Sequence, residues 1–402
     1  MSGEATRRPG APRVDGFVAP GFEPVRDAFL ANLRERGEVG AAFAVTRDGE
    51  PVVDLWGGLA DPERGRPWRR DTLQAIFSGT KGLVALCLLM LADRGRLDLE
   101  APVARYWPEF AANGKDRVRV VDVASHRAAL PGVAGRLSPD EVLDPRHVAS
   151  LLAAQAQETD PRAAVTYHPL TYGWLCGELV RRVDGRGIGR FFAEEVADPL
   201  GLEIWIGLPA RLEPRVSRLV HGPDWGRRNG WDDAAFAADE LLRRIWGNPE
   251  LFGRGPIRWN EPRWHQAEIP GAGAIATARS MARLYGCLAL GGELDGVRLL
   301  DRATLERGRR PVSDRFDPIA GDRQVFGVGF ELQTDARALG PPDDAFGHCG
   351  AGGSVHAAWP SLRAGVSYAM NQMRDDARVD ARARALLDAT HEVLARRAGG
   401  SG

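Results

Sequence analysis

Ten residues without a charge, Gly82-Leu83-Val84-Ala85-Leu86-Cys87-Leu88-Leu89-Met90-Leu91, follow directly on Ser78-Gly79-Thr80-Lys81. The run is too short to span a bilayer, and it lacks the polar stripe of a surface helix. It predicts a helix buried on all sides, stopped at Asp93-Arg94-Gly95, where Gly supplies a C-terminal cap. Ser78 and Lys81 are three apart at its mouth, so on a helix their hydroxyl and amine share one face. Desolvation disfavours an ammonium and lowers a lysine pKa, which is how a lysine becomes a base near neutral pH. Unpaired N–H groups and the helix dipole favour negative charge developing at Ser78.

Ser-x-x-Lys alone is a weak pattern; composition strengthens it. The chain has two lysines, Lys81 and Lys115, and otherwise uses Arg. An Arg at position 81 could not act as a base, because it does not deprotonate in proteins.

A length of 402 residues allows two domains, or one with an insertion. The 44% hydrophobic and 27% charged residues are those of a soluble globular protein. A net charge of −1 argues against nucleic acid or anionic membrane as a main partner. Pairs such as Arg181-Arg182 and Arg227-Arg228 read as solvated faces. Cys87, Cys176, Cys287 and Cys349 show no metal-ligand spacing, and three lie in apolar stretches, which predicts free thiols in a reducing compartment. Met1 to Val14 carries no apolar core of an export signal, so a loose tail over 1–14 and a cytoplasmic protein are expected.

Along the chain, Val25 to Arg36 predicts an amphipathic helix. Residues 40–46 and 51–58 predict a β-hairpin around Asp48-Gly49, followed by polar loop over 59–72. From Leu97 to about residue 265 the pattern is helix and loop, with helices over Pro145–Gln157 and Leu170–Val183. Residues 203–265 hold six tryptophans (Trp205, Trp225, Trp231, Trp246, Trp259, Trp264), either folded over a cleft or serving as core anchors. Gly271-Ala272-Gly273-Ala274-Ile275-Ala276 matches GxGxxA, but no buried strand precedes it, and the dinucleotide reading is rejected. Helices over Ala278–Leu290 and Asp301–Arg309 follow, then a strand over 325–332 with Phe326, Val328, Phe330 and Leu332 on one face. Strands at 346–350, 354–359 and 364–371 precede a helix over Arg378–Arg397. Both ends of the chain offer strands and the middle is helical. The expected fold class is therefore α/β (α+β): an antiparallel sheet from both termini, flanked by helices, with a helical insertion. The expected division is a sheet domain of residues 15–80 and 266–397, with a mainly helical domain over 81–265 inserted.

Three separated motifs now line up with one family. They are Ser78-Gly79-Thr80-Lys81, Tyr167-His168-Pro169 ahead of a helix, and His348-Cys349-Gly350 on a strand. Ser125-His126-Arg127-Ala128-Ala129-Leu130-Pro131 and the stretch Ala276 to Tyr285 agree with it. The chain resembles the penicilloyl-serine hydrolases and peptidases over about residues 20–395, most closely the esterase-like branch of the class C β-lactamase group, the family VIII carboxylesterases.

The resemblance implies a β-lactamase/DD-peptidase-like fold and acyl transfer through acyl-Ser78. It implies that Lys81 and Tyr167 share the proton traffic, and leaves open which is the base. It places the oxyanion hole at the backbone N–H groups of Ser78 and Ala351, and substrate contacts at His348, Gly350 and His168. Pro169 stands where β-lactam-hydrolysing relatives have Asn, His348 replaces a strand lysine, and Ala129 replaces a loop glycine. Tyr172 is the rival to Tyr167, and His126 reads as a loop-holding residue. No HExxH, GxSxG or P-loop pattern occurs, so no metal or other cofactor is expected. The leading expectation is a serine hydrolase of small carboxylic esters, without a membrane span. An acyltransferase, or a D-amino-acid peptidase or β-lactamase, would use the same machinery. A non-catalytic scaffold is the alternative of another class, and it has no reason to keep a buried lysine. The sequence does not reveal the oligomeric state.

Overall fold

Large and small side chains alternate along the central strands, and the two faces of the sheet are covered accordingly. In the computed structural model, which describes residues 13–226, 234–375 and 377–399, strands β1 (Val14–Val18), β2 (Gly40–Arg47) and β3 (Glu50–Asp61) come from the start of the chain. Strands β4 (Ser313–Asp317), β5 (Asp322–Phe326), β6 (Glu331–Leu332), β7 (Phe346–Cys349), β8 (Val355–Trp359) and β9 (Ala364–Met370) come from its last third. They pair antiparallel in the order β1-β3-β2-β9-β8-β7-β6-β5-β4. Asp48 and Gly49 both take left-handed φ, 53° and 89°, as a two-residue hairpin turn requires.

The helices that matter for the site are α1 (Glu23–Glu35), α2 (Thr80–Asp93), α3 (Thr171–Asp184), α4 (Ala278–Ala289) and α5 (Ala381–Gly399). Phe43, Val45, Leu55, Val366 and Tyr368 face α1 and α5 in one core. On the other face Ala42, Ala44 and Ala369 meet Ala278 and Ala282 of α4. The small residues let α4 lie against the sheet backbone: a Cβ on Gly365 would stand 2.2 Å from the Ala282 carbonyl oxygen. Helix α2 is buried from Thr80 to Leu91, as its uniform hydrophobicity requires, and Gly95 past its end takes φ +66°. It packs between α3 and the sheet, in one core with Phe330 and Phe346.

The expected strand over 325–332 is corrected: the chain turns back between Phe326 and Glu331, which face each other across β5 and β6. Gly329 takes φ +79° there, and a Cβ on it would meet the Tyr172 hydroxyl at 2.2 Å. The glycines that looked like the small face of one strand make a turn, and Glu331 is buried as a result. The expected loop over 59–72 begins later, because β3 runs to Asp61 and Arg66–Pro67 pairs back onto it. Helix α5 starts after Asp380, whose carboxylate accepts the Arg382 N–H at 2.7 Å as an N-terminal cap. The tail expected over 1–14 lies outside the described residues through residue 12, as do Trp231 and the Arg227-Arg228 pair. Among the described residues no helix is long and apolar enough to cross a membrane, and the four cysteines are free.

Candidate active site

Ser78 sits in a single 3-10 turn, Phe77–Gly79, that feeds α2. Phe77 before it holds φ +45°, a left-handed backbone that a bulky residue adopts only under constraint. The constraint is visible. The Phe77 ring packs 5.8 Å from Phe252 and 5.4 Å from Trp259. Its carbonyl accepts the Thr80 hydroxyl at 2.6 Å, and that hydroxyl accepts the Ala274 N–H at 2.9 Å. Gly79 leaves no room for a side chain, since a Cβ would stand 2.6 Å from the His356 ring.

Lys81 is fully buried, and its Nζ lies 3.1 Å from Ser78 Oγ. It donates to the carbonyl oxygens of Pro169 and Gly271, each at 2.6 Å. Burial holds the Lys81 ammonium well below the ordinary lysine range. Two carbonyls can take two amine hydrogens and leave the third direction of the nitrogen to the Ser78 hydroxyl. The sequence offered no sign of these carbonyls beyond the glycines around Gly271. A Cβ on Gly173 would stand 1.9 Å from Gly271 N, so α3 touches that backbone directly. Lys115 donates instead to the Ala112 carbonyl and, at the end of the helix Pro145–Ala154, to those of Ala153 and Gln155.

The Tyr167 ring lies 4.8 Å from Lys81 Nζ, and its hydroxyl is buried near Ser78 without a hydrogen bond of good geometry among the described residues. Burial raises its pKa well above 10, with the Ser78 hydroxyl opposing the shift. Tyr172 is placed differently: its hydroxyl donates to the Lys81 carbonyl at 3.3 Å, inside the helix packing.

On the strand side His348 is buried and donates from Nδ1 to the Cys349 carbonyl at 2.7 Å, leaving Nε2 without a partner among the described residues. Burial brings the His348 pKa down to about 4, against the pull of the Glu331 carboxylate. Above that pH the imidazole is neutral, so this position carries no fixed charge. Glu331 accepts the Cys349 N–H at 3.0 Å and pairs with Arg378. Gly350 passes against the segment that leads into Ser78, where a Cβ would stand 2.4 Å from the Ile76 carbonyl oxygen. Its N–H donates to the Ser354 carbonyl at 2.9 Å, whereas the Ala351 N–H has no backbone acceptor among the described residues.

Ser78, Tyr167, His348, Gly350 and Ala351 line one cavity of about 240 Å³. Trp225, Trp246 and Phe252 form an apolar side of it, while Trp259 and Trp264 are buried core anchors. Both readings of the tryptophan-rich stretch therefore hold, for different members. The cations bordering the cavity are paired: Arg378 with Glu331 and Asp322, Arg374 with Asp224 and the Arg36 carbonyl.

His168 is the correction among the expected substrate contacts. It is fully buried, its Nδ1 donates to the Thr166 carbonyl at 2.8 Å, and its Nε2 accepts the Leu130 N–H at 3.1 Å. Both nitrogens are committed to backbone, so it ties two loops together behind the cavity. His126 is also packed in, accepting the His168 N–H at 3.1 Å and lying 4.7 Å from the Tyr167 ring. Ala129 takes φ +51°, a backbone that glycine adopts at lower cost.

The family described as Beta-lactamase matches residues 25–390. The Esterase/beta-lactamase LipL of Mycobacterium tuberculosis is 38% identical over 367 residues, covering 89% of this chain and 82% of that protein. The crystal structure of a family VIII carboxylesterase is 39% identical with a TM-score of 0.86, covering 95% of this chain and 100% of that one. A penicillin-binding protein homolog from Caulobacter crescentus is 37% identical with a TM-score of 0.85, over 95% of this chain and 100% of its own. On this likeness across nearly its whole length, the chain belongs to the beta-lactamase family and is an enzyme, a serine hydrolase.

Proposed function

We propose that the protein hydrolyses small carboxylic esters through a covalent acyl-Ser78, with Lys81 as the base and Tyr167 as the acid. The observation that carries this is the Lys81 amine, 3.1 Å from Ser78 Oγ with two carbonyls on its other side. Burial pushes the two titrating groups apart, Lys81 down and Tyr167 up. A pair separated in this way divides into base and acid. Neutral Lys81 takes the Ser78 proton as Oγ attacks the ester carbonyl. The oxyanion is received by the N–H groups of Ser78 and Ala351, donors worth roughly 3 kcal/mol each. As the tetrahedral species collapses, the leaving alkoxide takes the Tyr167 proton, and the Lys81 ammonium restores it. Water then attacks acyl-Ser78 by the same route reversed, releasing the acid.

Ester rather than β-lactam chemistry is supported by the neutral His348 and the paired Arg374 and Arg378, which leave no free cation for a substrate carboxylate among the described residues that line the cavity. The name of LipL carries both esterase and beta-lactamase, and that of Esterase EstB of Burkholderia gladioli, 35% identical over 193 residues and 42% of this chain, carries esterase alone. The test is a fluorophosphonate probe followed by peptide mass spectrometry. The label should sit on Ser78, and Ser78→Ala should fold, take no label and hydrolyse no ester. Label on another serine, or turnover retained in Ser78→Ala, overturns the reading.

A further inference from the structure

Asp317 ends β4 with 1% of its surface exposed, and 150 residues of chain separate it from Tyr167. No ion pair to it occurs among the described residues. Its charge is held by hydrogen-bond donors instead. Oδ1 accepts the Thr166 hydroxyl at 3.1 Å, the Ile319 N–H at 2.8 Å and the Ala320 N–H at 3.1 Å. Oδ2 accepts one bond, the Tyr167 N–H at 2.8 Å.

A buried carboxylate without a counter-ion is unfavourable unless its lone pairs are filled. Four donors converge on this carboxylate, three on Oδ1 and one on Oδ2, and an amide would put an NH2 in place of one of the two accepting oxygens. The two oxygens also divide their work. Oδ1 shapes the β4–β5 turn and holds Thr166, whereas Oδ2 is bonded to the residue whose phenol faces Ser78. Two residues further on, the Pro169 carbonyl is held by Lys81. The Tyr167 backbone is thus clamped on one side by Asp317 and on the other by the base.

We infer that Asp317 is a positioning residue for proton transfer, acting through Tyr167. The inference rests on the role proposed for Tyr167. A misplacement of about 1 Å in a reacting group is enough to lower a rate on the order of 100-fold. Fixing the tyrosine backbone from a separate hairpin prevents that.

The test is a double-mutant cycle on p-nitrophenyl butyrate, with kcat normalised to fluorophosphonate-titrated sites so that misfolded protein does not count. Asp317→Asn keeps the shape; its amide oxygen satisfies the turn, and its NH2 then faces the Tyr167 N–H. The expected result is a kcat lower by roughly 10- to 100-fold with KM within about threefold. In a Tyr167→Phe background the same substitution should lower the residual kcat by less than about twofold, because the phenol it positions is gone. A merely structural carboxylate would lower both backgrounds equally. Should Asp317→Asn not fold, Asp317→Ser enters the same cycle. Equal losses in the two backgrounds, with Tyr167→Phe itself crippled, overturn this inference alone. A Tyr167→Phe enzyme with wild-type kcat overturns the role of Tyr167 and this inference with it.

Discussion

The Tyr172 hydroxyl donates to the backbone carbonyl of Lys81 at 3.3 Å, while the Tyr167 hydroxyl is buried in the Ser78 cavity with no hydrogen bond to any described residue. On the mechanism proposed above, Tyr172 supports the helix that carries Lys81, and Tyr167 exchanges the proton.

Tyr167→Phe is expected to lower kcat by roughly 10²–10⁴-fold, the usual contribution of a positioned acid or base. Tyr172→Phe should lower it by less than about threefold and reduce stability by about 1 kcal/mol, the worth of one hydrogen bond. Steady-state kinetics and urea unfolding of both variants read this directly. A reversed order would make Tyr172 the acid.

Lys81→Arg should be nearly as inactive as Lys81→Ala, since Arg keeps the charge and cannot accept a proton. Wild-type kcat/KM should rise with pH through the lowered Lys81 pKa and then stay level, because the Tyr167 phenol ionises only well above 10. A profile falling below pH 9 on the alkaline side would contradict the assignment of Tyr167.

Ester turnover should far exceed β-lactam turnover. A β-lactam carboxylate finds His348 neutral above about pH 4, and Pro169 offers no side-chain donor to its amide. Each lost charged contact costs on the order of 1.5–3 kcal/mol, or roughly ten- to a hundredfold in rate. Nitrocefin and p-nitrophenyl butyrate, assayed on one preparation at neutral pH, make the comparison. Similar specificity constants would return the protein to the β-lactamases in activity as well as in family.

Stability should fall steeply below pH 6.5. Burial holds the pKa of His348 and His168 at about 4, that of His356 at about 3, and that of His126 well below the usual value. Between those values and about 6.5 the unfolded chain binds protons that the folded chain refuses, so stability rises with pH across that window. Each group contributes about 1.4 kcal/mol of loss between pH 7.5 and 5.5. Urea unfolding at the two pH values should differ by several kcal/mol. A difference under about 1 kcal/mol would mean that these imidazoles are protonated in the folded protein.

Much of the architecture was legible because its signals are local. The Asp48-Gly49 turn, the capping Gly95 and the uniform apolar run of α2 each state a backbone preference within a few residues, and the structure follows them. The spacing of Ser78 and Lys81 is local as well, which is why their juxtaposition could be read from the chain alone. Where a glycine serves either a strand face or a turn, as at Gly327 and Gly329, local pattern gives no decision, and the pairing of β5 with β6 made it.

What only the tertiary structure decided is the set of partners that backbone groups and distant side chains supply. The carbonyls of Pro169 and Gly271 that hold Lys81 have no side-chain signature, and any residue type carries one. Asp317 reaches Tyr167 across 150 residues, and His168 turns out to bond two loops and not a substrate. The protonation states follow the same division. A sequence names the titratable groups, but burial and opposing charge set their pKa values, and both exist only once the sheet, α2 and α3 have closed around the site.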